Sequence, residues 1–164
     1  MEPVYSNVLE INPQQLFSIM KEDIFKNYPI ITLLNINKEY IEIRSQLINL
    51  IHKISKKMGF KSQTFFLSVY YLDIILIENK DINIKNFHLL SLSCFIVAAK
   101  YCENDPIVPP LENFLKLYNK YGSNLNINLK IKLEDLFETE VQILKYLNYN
   151  LHYVTIYDFD LFFF

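Results

Sequence analysis

The chain has 164 residues and a formal net charge of -2, with sixteen basic residues against eighteen acidic ones. That length suits one domain with a real core, and a hydrophobic share of 51% excludes a mainly disordered chain. Slight acidity argues against a groove for nucleic-acid phosphates, which needs a basic stripe. Arg44 is the single Arg, Ala98 and Ala99 are the only Ala, and Ile, Leu, Asn, Lys and Tyr abound. This bias fits AT-rich coding, as in an AT-rich eukaryote such as a protist.

Apolar periodicity is helical almost throughout, and no two strands are joined by a turn signal, so the predicted fold class is all-α. A first helix is expected from Pro13 to Tyr28, capped by Asn12 and stopped by Pro29, with Leu16, Ile19, Met20 and Ile24 on one face. Asn37 caps a longer helix, Lys38 to Met58, closed by Gly59. Its stripe is Tyr40, Leu47, Ile48, Ile51, Ile54 and Met58, with Arg44 inside it. Ser62 caps a third helix, Gln63 to Glu78, whose stripe of Phe66, Val69, Tyr70, Leu76 and Ile77 contains Asp73. The fourth, Ile84 to Glu103 with Asn83 before it, is apolar nearly all round and should be central.

Its most apolar run, Phe87 to Ala99, is too short to cross a bilayer. Three Pro between Asp105 and Pro110 break it. A shorter helix, Leu111 to Tyr121, ends at Gly122. Ser123 to Lys130 reads as an Asn-rich loop. A last helix, Lys132 to Leu147, has the stripe Leu133, Leu136, Phe137, Val141 and Leu144, with Glu140 within it. The tail ends on Phe162, Phe163 and Phe164. No repeat or linker divides the chain.

Two Cys, Cys94 and Cys102, and three scattered His (His52, His88, His152) make neither a disulfide framework nor a zinc pattern. No phosphate loop, nucleophile elbow or metal cluster marks an enzyme. No cofactor, metal or small-molecule substrate is therefore expected. The thiols and the absence of a signal segment at Met1 to Glu10 point to an intracellular protein, in the nucleus, the cytoplasm or both.

Four charges stand in apolar stripes or at the end of a buried helix: Arg44, Asp73, Lys100 and Glu140. Each needs a partner, because breaking a buried ion pair costs roughly 3–5 kcal/mol. Arg44 lies fourteen residues before Met58 and Asp73 fifteen after it, on helices joined by a short turn, so they can meet as a bidentate pair. The alternative is that both are rim charges. Lys100 follows Ala98 and Ala99, whose small size lets another backbone approach. With Glu140 it forms either a polar spot offered to a partner's helix end or an ordinary intramolecular salt bridge.

These residues resemble the cyclin box, a five-helix domain defined by Arg, Asp, Leu, Lys and Glu at set places; here they are Arg44, Asp73, Leu89, Lys100 and Glu140. "IRSQLINLIHKISKKMGFKSQTFFLSVYYLDIIL" is similar to the family's first two helices. "AAKYCEN" resembles the segment around its Lys, and "LFETEVQILKYLNYNL" its fifth helix. The resemblance implies an N-terminal helix and connector at 1–36, a cyclin box at 37–155 and a tail at 156–164. That tail is either the close of a single-box member, as in P/U-type and Y-type cyclins, or the start of a second box.

The resemblance also implies a non-enzymatic regulatory subunit whose partner is a cyclin-dependent protein kinase, with no nucleic-acid or membrane partner. Lys100 and Glu140 would hydrogen-bond kinase backbone near its αC helix, flanked by Tyr101, Glu103, Val97, Leu144 and Tyr149. Ile43, Gln46, Leu47 and Leu50 stand where the family has a substrate-docking patch, in a degenerate form. The alternatives are a cyclin-box general transcription factor and a cyclin-like scaffold that activates no kinase.

Overall fold

A computed structural model describes residues 13–27, 38–78, 84–104, 107–123, 131–155 and 157–158. Among them the longer regular elements are all α-helices: α1 (Pro13–Asn27), α2 (Lys38–Met58), α3 (Ser62–Glu78), α4 (Ile84–Cys102), α5 (Leu111–Ser123) and α6 (Leu133–Tyr146). The expected caps Asn12, Asn37 and Asn83, the stop at Pro29, the break at Asp105, the loop at 124–130 and the three terminal Phe lie outside the described residues, as do the side chains of Leu16 and Ile24.

α4 is the axis, packing against α2, α3, α5 and α6. Residues 90–99 are buried without interruption, so the helix has no solvent face over that stretch. It divides the core in two. Cys94, Val97 and Ala98 join Tyr40, Leu47, Tyr71, Phe87 and Ile143 on one side. Leu92, Phe95, Ile96 and Ala99 join Leu50, Ile54, Phe114, Tyr118 and Leu136 on the other. Leu89 packs at the edge of that second cluster. The two Ala are thus spent on helix packing inside the domain and are closed to any backbone from outside.

α2 and α6 end in the same way. At α2, Phe60 N–H donates to Ser55 O and Gly59 N–H to Lys56 O, with Gly59 at φ +71. At α6, Tyr149 N–H donates to Leu144 O and Asn148 N–H to Lys145 O. Both are Schellman closures, which need a left-handed residue after the helix. Gly59 supplies it at no steric cost, whereas α6 uses Asn148 (φ 50) followed by Tyr149 (φ 58). α3 starts at Ser62 itself, and the group that caps it is the carboxylate of Glu103, just past the end of α4. α5 runs past Gly122, which is buried in its last turn.

Beyond α6 the chain doubles back over α3. Tyr71 hydroxyl donates to Leu151 O at 2.6 Å, and Tyr153 rests on Tyr70 with ring centroids 4.6 Å apart. Thr155 donates through both its N–H and its hydroxyl to Asp158, each at 2.7 Å.

Several stripes are rotated from their expected positions. In α3 the buried residues are Thr64, Leu67, Ser68, Tyr70, Tyr71, Leu72, Ile75 and Leu76, while Phe66 is exposed. In α1, Met20 is buried and Ile19 faces outward. In α6, Leu136, Glu140 and Ile143 are buried, but Phe137 and Val141 are 57% and 50% exposed. α3 and α6 are rich in apolar residues on more than one side, so apolar identity alone does not fix which side faces the core.

Candidate functional site

Arg44 on α2 meets Asp73 on α3 with two parallel bonds, Nε to Oδ1 at 2.8 Å and Nη2 to Oδ2 at 2.7 Å. Tyr40, one turn before Arg44, donates its hydroxyl to the same carboxylate. The hydrogen bonds it donates to Asp73 hold the Arg44 guanidinium above its ordinary pKa, and burial pushes the Tyr40 hydroxyl well above the usual phenol range, so it stays a donor. Arg44 is 42% exposed and Asp73 13%. This triad ties α2 to α3.

Lys100 and Glu140 meet where α4 and α6 leave the core. Lys100 Nζ donates to both Glu140 oxygens, at 2.7 and 3.0 Å. Glu140 is 10% exposed and Lys100 48%. The intramolecular salt bridge therefore forms, and it forms on the wall of a hollow. Val97, Lys100 and Tyr101 from α4, Phe137, Glu140, Val141 and Leu144 from α6, and Leu151 line a cavity of about 400 Å³ open on one side.

Helical spacing explains this face. Residues 137, 140, 141 and 144 recur at three- and four-residue steps and lie on one side of α6. Phe137 and Val141 expose large apolar surface there that no described residue covers, the kind of surface that interaction sites present. Lys100 also lines a second hollow of about 630 Å³ with Glu103, Val108, Pro109, Pro110 and Leu111.

Of the residues expected around the polar pair, Val97, Tyr101 and Leu144 line the groove with it. Tyr101 hydroxyl lies 3.3 Å from His152 Nδ1. Glu103 does not belong with them. It is buried, and its Oε1 accepts Lys61 N–H at 2.7 Å and the Thr64 hydroxyl. Its carboxylate caps the N-terminus of α3, where free N–H groups and the helix dipole favour a negative charge.

Tyr149 is exposed but outside the lining residues. Phe137, Val141 and Leu151 were missed as site residues. The signal was available for the first two, since they flank Glu140 on its own face. Of the expected docking patch, Leu47 and Leu50 are 0% and 1% exposed. They are core residues, and only Ile43 and Gln46 retain accessible surface.

Neither thiol is activated, because burial raises the pKa of both Cys94 and Cys102. Among the described residues no three His, Cys, Asp or Glu gather as a metal site, and no helix is long and apolar enough to cross a membrane.

Comparison with known proteins bears directly on this architecture. The family model described as the cyclin N-terminal domain matches residues 15–152, from α1 into the segment that crosses α3. The chain belongs to the cyclin family. Human Cyclin-J is 31% identical over 111 residues, which cover 68% of this chain and 28% of that protein. Cyclin-J of Xenopus laevis is 29% identical over the same length. Cyclin-A1-2 of Arabidopsis thaliana is 32% identical over 110 residues, covering 66% of this chain and 22% of that protein. This cyclin thus spans about a quarter of the length of those curated relatives. Its Arg44–Asp73 and Lys100–Glu140 pairs are each closed within its own domain.

Proposed function

We propose that this cyclin is a regulatory subunit that binds and activates a cyclin-dependent protein kinase through the groove between α4 and α6. The observation that carries the reading is the Lys100–Glu140 pair set in a cavity walled by Phe137, Val141, Leu144 and Val97. A helix of the partner finds there an apolar bed for its side chains. Beside that bed stand a cation and a carboxylate able to accept or donate to free backbone groups at a helix end. In the cyclin family the helix that docks is the kinase αC helix. Pressing it inward lets its Glu pair with the ATP-binding Lys and frees the activation loop, the geometry phosphoryl transfer requires. The cyclin supplies no catalytic group in this scheme, and its place of action is the nucleus or the cytoplasm. Substrate docking through Ile43 and Gln46 contributes little, since Leu47 and Leu50 are withdrawn into the core.

The test is affinity capture of a kinase by the wild-type chain, followed by binding and kinase assays with Phe137→Ala, Lys100→Ala and Glu140→Ala. Phe137→Ala should weaken binding by about 2 kcal/mol, as central apolar contacts do. Either polar variant should lower activation with the melting temperature nearly unchanged. If all three bind and activate the captured kinase as well as the wild type, the groove is not the site.

A further inference from the structure

We propose that the seam between the C-terminal half of α2 and α5 is a second docking surface, for a short acidic protein segment that carries one apolar side chain. The inference starts from helix direction. Tyr40 packs against Phe87, and Phe60, just past the end of α2, against Phe95, so α2 and α4 run in the same sense. His88 bonds Tyr118 and Phe95 meets Phe114, so α5 runs opposite to α4. α2 and α5 are therefore antiparallel neighbours. Lys57 and Lys116 line one cavity between them. Lys53, one turn before Lys57, then falls on the same side as Lys120, one turn after Lys116.

All four lysines are exposed, and among the described residues none of them forms an ion pair. Two of the pairs, Lys53 with Lys57 and Lys116 with Lys120, are like charges at four-residue spacing, an arrangement that destabilises a helix. Lys57 and Lys120 complement the dipoles at the ends of their helices, but Lys53 and Lys116 lie too far from those ends for that role. Glu112, the one acidic residue of α5, does not line the cavity. Among the described residues this is a local excess of positive charge that no ion pair offsets.

The cavity tells what sort of anion fits. It holds about 320 Å³ and is lined by Met58, Pro109 and Leu117 as well as by Lys57, Lys116 and Asn113. An apolar floor with a lysine rim suits an aliphatic side chain flanked by carboxylates or phosphorylated residues. A nucleic-acid backbone would use the rim and leave the floor empty. The seam shares no lining residue with the α4/α6 groove, so the two surfaces can be filled together.

Fluorescence anisotropy of the full chain with a labelled Gly-Asp-Glu-Leu-Asp-Glu-Gly peptide tests the proposal. The probe should bind, more weakly as salt rises, and several-fold more weakly when its Leu is replaced by Gly. The double variant Lys57→Glu/Lys116→Glu should lose about tenfold in affinity with an unchanged thermal melt. Should that variant melt early, Lys53→Gln/Lys120→Gln provides the same comparison with no charge reversal. The proposal is overturned by no peptide binding at low salt or by equal binding to a folded charge variant. It is overturned equally if a single-stranded oligonucleotide of matching charge binds as tightly as the peptide, which would make the surface a general polyanion site.

Discussion

Arg44 meets Asp73 edge to edge with two donors, a geometry that a lysine ammonium cannot reproduce. Arg44→Ala would leave the Asp73 carboxylate with only the Tyr40 hydroxyl. Losing one side of a fully buried pair costs roughly 3–5 kcal/mol. With Arg44 partly in solvent, screening reduces the expected loss to about 1–3 kcal/mol in urea denaturation, and Arg44→Lys should recover only part of it. His88 sets a pH response. It is buried, its Nδ1 lies 2.6 Å from the Tyr118 hydroxyl, and burial lowers its pKa. As pH falls through about 6.5 the unfolded chain takes up a proton that the folded chain resists. Stability is therefore full above that pH and declines below it until the depressed folded-state pKa is passed. Thermal melts at neutral pH and at about pH 5 should show this decline. In His88→Gln, which keeps a partner for Tyr118, the decline should be smaller; an identical decline would remove His88 as its source.

At the level of elements, α3 depends on a residue outside it. Glu103 reaches back from the end of α4 to satisfy Lys61 N–H and the Thr64 hydroxyl, so the start of one helix is tied to the end of another. Glu103→Ala should cost about 2–3 kcal/mol, because it strands two donors next to buried surface. Glu103→Gln, which keeps an acceptor oxygen, should cost less. A Glu103→Ala variant with an unshifted denaturation midpoint would mean the carboxylate is not holding α3. The ends of α2 and α4 were legible in the sequence, because Gly59 marks the first and the Pro run follows the second, whereas Gly122 misled, since α5 runs past it. The rotation of α3 and α6 was not legible. In α6, Leu133, Leu136, Phe137, Val141 and Leu144 are equally apolar, yet the first two and Ile143 turn toward the domain while Phe137 and Val141 turn away. What separates them is the position of α4, which no local pattern encodes. The same cause hid the groove: its polar pair could be picked out as charges in an apolar setting, but its apolar walls looked like core.

Taken whole, the molecule is built outward from one helix. α4 touches four other helices and has a stretch without solvent exposure, so its amides can open only when the surrounding shell opens. Hydrogen exchange should therefore be slowest at residues 90–99, approaching the rate set by global unfolding. Faster exchange there than in α2 or α6 would show that the shell opens in parts. The end of that same helix has a different property. Lys100 borders two hollows at once, one toward Phe137 and Val141 and the other toward Val108 and Pro110. A segment that reaches this ammonium from the first hollow therefore stands at the edge of the second. Lys100→Ala would take a lining residue from both at once, so its effect on binding counts occupants of either hollow.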